Sequence, residues 1–254
     1  MLTVERWTGE DAAWDAAVAA DADGTFCHLA GWREVMAGSL GHEPLAWVAR
    51  AADGRVAGLL PAVAVRSLLF GRYLVSMPFL NAGGPLGAPE ARILLAETAV
   101  AEARARAVRL LELRTRGASP PGLVVSRRKI THVLPLPPDA EALWRGFPPK
   151  LRSQVRRPQK EGLEARTGPA EREAFYEVFA RHMRALGTPV LPATWFDAIA
   201  RHLAPQVVFV AVYRGAEPVA GGADSAGGTP ARSPGPARSA RRAGRRPTCC
   251  CTGR

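Results

Sequence analysis

The chain has 254 residues, 47% of them apolar and 22% charged, an ordinary balance for a globular protein. Its 34 Lys+Arg against 23 Asp+Glu leave +11, and only three of the cations are lysines (Lys129, Lys150 and Lys160). These figures exclude an acidic disordered chain and a collagen-like one, and four cysteines are too few for a disulfide scaffold.

The opening MLTVERWTGED is polar and reads as no secretory signal. Helices are expected at Glu10–Ala20, with Trp14, Ala17 and Val18 on one face, and at Leu29–Ala37, with Trp32, Val35 and Met36. The Asp53-Gly54 pair is a hairpin turn signal and predicts paired strands at Leu45–Ala51 and Arg55–Val65. A third strand follows at Tyr73–Met77. The apolar stretch Val56–Leu80 has the length of a membrane span, but Pro61, Arg66, Gly71, Arg72 and Pro78 interrupt it. It reads as sheet, with no membrane span. An Ala-rich helix with Ile93, Leu94 and Val100 is expected at Pro89–Ala107. Strands are expected at Leu110–Thr115 and Ile130–Leu136. This order predicts an α/β layout with a mixed or antiparallel sheet.

A second unit begins near Asp139. Short helices are expected at Ala140–Phe147 and Pro149–Gln159, then a strand at Leu163–Arg166. The helix Glu171–Leu186 carries a stripe of Phe175, Val178, Phe179, Met183 and Leu186, with Gly187 as its C-cap. Ala193–Leu203 turns Trp195, Phe196, Ile199 and Leu203 inward, and Gln206–Tyr213 reads as a buried strand. Pro218–Gly222 opens the return strand of a hairpin.

From Ala223 to Arg254 the composition changes. These residues contain no Val, Ile, Leu, Met, Phe, Trp or Tyr, and hold seven Arg, one Asp and the cysteines Cys249, Cys250 and Cys251. The segment is expected to be disordered, because it cannot bury enough apolar surface to offset its ordering entropy. Its Ala, Arg, Gly and Pro are what GC-rich codons give out of frame, so a frameshifted read is one expectation. A basic nucleic-acid-binding tail is the other. The remaining 222 residues keep 27 cations and 22 anions, a net of only +5.

The sharpest chemical feature of the body is Arg145–Lys160, with six cations and no carboxylate. Arg152 and Arg156 stand i, i+4 on one helix face, with Lys150, Arg157 and Lys160 close by. Such a group suits phosphates or carboxylates, which arginine grips with two parallel hydrogen bonds. It also fits a solvated basic face. Pro158, lacking an N–H, is expected to kink or end this helix. Asn81-Ala-Gly-Gly-Pro85 lies between a strand and a helix. Its backbone amides could line an anion or face an acyl group, or form a plain tight turn. It has neither the phosphate-loop Lys-Ser/Thr nor dinucleotide spacing. Cys27-His28, His42, His132, His182 and His202 do not stand at metal-ligand spacing, so no metal is expected. Cys27 reads as a buried hydrophobe. Asp197 and His182 are conceivable bases, though neither stands out.

Three segments carry a resemblance. FGRYLVSMPFLNAGG (Phe70–Gly84), Lys150-x-Arg152 with Arg156-Arg157 and Lys160-x-Gly162-Leu163, and Phe175-Tyr176 with Arg184–Val190 resemble the FemAB-type acyltransferases. The likeness spans about residues 3–222 and is nearest to the group associated with exopolysaccharide and PEP-CTERM protein-sorting loci. It implies an α/β fold of tandem GNAT-like (acyl-CoA N-acyltransferase) domains with mixed sheets. The first would occupy residues 1–138, and an incomplete second would occupy 139–222, ahead of the 223–254 tail. It also implies transfer of an acyl or aminoacyl group to an amine in the bacterial cytoplasm, without metal. The donor would be acyl-CoA or an aminoacyl-tRNA. On this resemblance Asn81, Gly83 and Gly84 shape a loop in the first domain, while Lys150, Arg152, Arg156 and Arg157 hold an anionic small molecule, acyl donor or tRNA. The chain departs from the family at Pro158 and after Gly222. An inactive truncated product and a nucleic-acid-binding protein are therefore the alternative expectations.

Overall fold

The Asp53-Gly54 pair turns the chain as its residue types require. Gly54 sits at φ +82°, and Asp53 Oδ1 accepts from the Arg55 amide at 3.0 Å. This turn belongs to the first of two units, Met1–Thr131 and His132–Arg254, in a computed structural model that describes residues 1–67, 71–116, 119–126 and 134–225. In chain order the first unit contains β1 (Thr3–Arg6), α1 (Asp11–Ala20), a 3-10 turn (Phe26–His28), α2 (Trp32–Leu40), β2 (Glu43–Arg50) and β3 (Val56–Ser67). It continues with β4 (Gly71–Val75), β5 (Leu86–Gly87), α3 (Pro89–Ala105) and β6 (Leu110–Glu112).

The strands form one mixed sheet of order β1-β2-β3-β4-β6, with β5 paired to the start of β3. All pairs are antiparallel except β4 with β6. On one face Ala91, Leu95, Ala99 and Ala103 of α3 pack on Leu45, Trp47, Leu60, Ala62 and Leu74. On the other, Trp14 and Val18 of α1 cover Ala46, Val48, Leu59 and Leu86. Burial on both faces explains why β2 and β3 read as nearly unbroken apolar runs. The helix meets the sheet through its alanines rather than Ile93, which stays 37% exposed. The cause is a close approach at Gly58, where an added Cβ would lie 3.0 Å from Ala91 Cβ and 3.1 Å from Leu95 Cδ1. Strand β1 lay outside the sequence expectation because its polar residues show no burial pattern. It pairs along β2 from Thr3↔Arg50 to Arg6↔Trp47.

The second unit contains α4 (Ala140–Gly146), α5 (Pro149–Lys160), β7 (Leu163–Thr167), a 3-10 turn (Pro169–Glu171), α6 (Arg172–Ala185), α7 (Ala193–His202), β8 (Val207–Arg214) and β9 (Glu217–Ser225). Its described strands form an antiparallel sheet of order β7-β8-β9. Phe175 joins helices to sheet, with ring centroids 5.8 Å from Phe179, 5.1 Å from Phe196 and 5.5 Å from Phe209. Fully burying such a ring is favourable by about 1.5–3 kcal/mol. The order β7-α6-α7-β8-β9 repeats β1-α1-α2-β2-β3, down to a bulge beside each hairpin turn. The architecture is mixed α/β.

Several elements differ from expectation. Pro158 lies inside α5, which continues to Lys160 rather than ending at the proline. The missing N–H deprives only the exposed Gln154 carbonyl, where water serves, and the helix closes within a turn as Gly162 adopts φ +76°. Strand β9 runs past the composition change at Ala223, because Phe209, Val208 and Val207 still offer pairing partners to Ala223, Asp224 and Ser225. The strand expected at Leu110–Thr115 stops at Glu112. Residues 134–136 are not strand, while 130–133 and 226–254, with Cys249–Cys251, lie outside the described residues. Leu186 ends the α6 stripe outward, 61% exposed.

Candidate functional site

The segment from β4 to α3 begins at the carboxyl ends of the parallel β4/β6 pair, a place where open α/β sheets commonly bind ligands. Here polar groups stitch the two chains together. The Ser76 amide donates to the Glu112 carbonyl at 2.9 Å, and Ser76 Oγ accepts from the Arg114 amide at 2.7 Å. The amides of Gly83 and Gly84 then both donate to the Arg114 carbonyl, at 3.2 and 3.0 Å. The two amides that the sequence offered to an anion are thus already engaged. Their glycines answer a packing demand. A Cβ on Gly83, at φ +151°, would sit 2.6 Å from Met77 Cγ, and one on Gly84 would sit 2.9 Å from Thr115 Cα. Asn81, in contrast, is exposed.

His28 anchors the same loop from beneath, 2% exposed. The Thr25 amide donates to Nδ1 at 3.2 Å, which leaves the proton on Nε2 to reach the Gly84 carbonyl at 3.1 Å. Burial holds the imidazole neutral by lowering its pKa to about 4, against the smaller opposing pull of its hydrogen bonds to Gly84 and Thr25. Asp21 accepts from the Gly87 amide at 2.7 Å, while Arg92 bridges the Gly87 carbonyl and Asp23, each at 2.6 Å. Sequence reasoning tested His28 only as a metal ligand and so missed this role. The signal was Thr25-x-x-His28, the spacing of a reciprocal cap.

In the second unit, α5 presents Lys150, Arg156, Arg157 and Lys160 exposed and Arg152 half-buried. Arg152, Arg156 and Lys160 form one i, i+4, i+8 row, with about 6 Å of rise per step. Arg156 stacks its guanidinium 5.2 Å from the Trp144 ring, and Arg157 pairs with Glu161 at 2.7 Å. Neither arrangement removes the group from water. The expected residues therefore fall into two sets: Asn81, Gly83 and Gly84 in one loop of the first unit, and Lys150, Arg152, Arg156 and Arg157 on one helix of the second. Asp197, a conceivable base, is engaged by Arg172.

A cleft of about 1060 Å³ in the first unit, lined by Ala17, Val56, Leu86, Ile93 and Leu94, contains neither the Asn81, Gly83 and Gly84 loop residues nor the α5 cations. No group of three His, Cys, Asp or Glu among the described residues is placed to hold a metal ion. Nor is any described helix long and apolar enough to cross a membrane.

The chain has a mixed α/β fold in which the strand-helix-helix-hairpin order occurs in both units, with a crossover helix leading to a parallel strand in the first. Among solved structures it matches FemX, with a TM-score of 0.54 and 18% identity over 82% of this chain. The match spans 57% of the FemX chain. No protein-family model matches the sequence, and no curated protein does.

Proposed function

We propose that the chain is a Fem-type acyltransferase that moves an acyl or aminoacyl group onto an amine. The observation that carries this reading is the FemX fold over most of the chain together with the exposed cationic row on α5. In the reaction the amine lone pair attacks the donor carbonyl carbon. The new C–N bond forms as the C–S bond of acyl-CoA or the C–O bond of an aminoacyl-tRNA breaks, and the thiol or hydroxyl leaves with the amine's proton. Lys150, Arg152, Arg156 and Arg157 grip the phosphates of that donor. Asn81 contacts the acceptor, on a loop whose shape Gly83 and Gly84 set. Catalysis then rests on holding amine and carbonyl in register and on hydrogen bonds to the developing oxyanion. The resemblance to the exopolysaccharide-associated group favours a cell-envelope or exopolysaccharide acceptor and a cytoplasmic site of action.

The test is direct. Total aminoacyl-tRNA and acetyl-CoA are offered in turn to the full chain with a lysine-containing tetrapeptide as amine probe, and the product is read by mass spectrometry. A mass increase on the peptide from either donor is the expected result. Binding of neither donor overturns the reading. Unchanged donor affinity in Arg152→Glu/Arg156→Glu removes α5 from the site.

A further inference from the structure

Between β4 and Asn81 the backbone does something its residues resist. The Leu80 amide donates to the Met77 carbonyl at 3.3 Å, closing a four-residue turn with Pro78 second and Phe79 third. Phe79 stands at φ +67°. Proline second with a positive φ third is the type II pattern, whose third position ordinarily takes glycine or asparagine. Met77, just before, is also left-handed at φ +57°. Two non-glycine residues with positive φ within three positions make this the most strained segment described, and such strain persists only where surrounding structure over-determines it.

Arg114 supplies that constraint. Its Nη1 donates to the Leu80 carbonyl at 2.5 Å and to the Met77 carbonyl at 3.3 Å, so one guanidinium holds both ends of the turn. Glu112 fixes the other side of the guanidinium through Nε at 2.8 Å. The side chain bearing the strain is not in the core: Phe79 is 53% exposed, beside the exposed Asn81. An aromatic residue thus occupies a glycine position with half its surface in water.

We infer that Phe79 is a substrate-contact residue, presented with Asn81 by a strained type II turn, and that Arg114 is the positioning residue that holds the turn. The inference rests on the proposed transfer reaction and adds its recognition element: Phe79 covers an apolar part of the amine-bearing acceptor next to the Asn81 amide. Arg114 acts only through the turn. A lysine cannot replace it, because one ammonium does not span two carbonyls and a carboxylate as a planar guanidinium does.

The experiment uses the full chain with Phe79→Gly, Arg114→Lys and the double variant. Phe79→Gly is expected to raise the thermal midpoint by about 2–4 °C, since glycine adopts the left-handed backbone freely. It should raise KM for the lysine tetrapeptide about tenfold with kcat nearly unchanged, the mark of lost uniform binding. Arg114→Lys should speed exchange of the Leu80 amide about tenfold in the Phe79 chain and much less in the Phe79→Gly chain, where the relaxed turn needs no clamp. A lower thermal midpoint in Phe79→Gly identifies Phe79 as a packing residue and overturns the inference. Transfer with unchanged KM overturns the contact alone. Equal exchange effects of Arg114→Lys in both backgrounds overturn the positioning role. No transfer by the unaltered chain overturns the enzymatic reading and the contact with it.

Discussion

The two units run the same five elements, β1-α1-α2-β2-β3 and β7-α6-α7-β8-β9, yet treat the third strand oppositely. In β3, Leu59, Leu60, Ala62, Val63 and Ala64 are all buried because α1 lies on one face and α3 on the other. In β9 no residue is fully buried, and Gly221 meets α6 so closely that a Cβ would lie 3.2 Å from Phe175 Cα. The contrast extends to the candidate site residues. The loop of the first unit spends its donors internally, on the Arg114 carbonyl, whereas the helix of the second leaves its cations facing water. A binding site needs donors left over after the fold has satisfied itself. By that measure the Gly83 and Gly84 amides are spent, while the α5 cations remain available.

The largest effect expected from this contrast is the cost of the loop's buried anchor. His28 is neutral when folded and has a pKa near 4, below the usual 6.5, so between those values the unfolded chain binds the extra proton. Stability from this group is complete above pH 6.5 and falls as the pH drops toward 4, by about 3 kcal/mol. Urea midpoints across that window should show the fall, and His28→Phe should flatten it. The charged helix should behave in the reverse way. Arg152→Glu/Arg156→Glu should weaken tRNA binding about a hundredfold at low salt, with the thermal midpoint little moved, as filter binding and calorimetry would show. Next comes Gly83→Ala, whose Cβ meets Met77 at 2.6 Å. A loss of about 2 kcal/mol in denaturant unfolding is expected. Smallest is Gly222→Ala, where no atom lies within 4 Å of the added Cβ. A change below about 0.5 kcal/mol is expected there, and a large one would mean that β9 is packed more tightly than its geometry shows.

Much of the fold was legible. The Asp53-Gly54 turn, the stripe of Trp32, Val35 and Met36, and the inward Trp195, Phe196, Ile199 and Leu203 follow from turn chemistry and helical period, both of which are local. What escaped depended on partners distant in sequence. Strand β1 is polar and exists because β2 offers it an edge. β9 outlasts its own apolar residues because β8 continues alongside. Pro158 is tolerated because its helix ends within a turn and faces water. The site divided in the same way. The cationic row on α5 is a matter of spacing and was readable. The engagement of the Gly83 and Gly84 amides, the burial of His28 and the clamp on Phe79 were not, since each needs Arg114 or Gly84 brought beside it.

The opening charge of +11 is a number for the whole chain, and the sequence alone located its cluster in the body: six cations between Arg145 and Lys160, on a body carrying only +5. Composition and periodicity also sufficed for an α/β layout and for a second unit beginning near Asp139, because hydrophobic pattern and turn residues act over a few neighbours. Which polar groups remain free to meet a ligand was decided only by the tertiary structure. A donor already bonded is not available to a ligand, and the partners that engage Gly83, Gly84 and His28 come from thirty or more residues away.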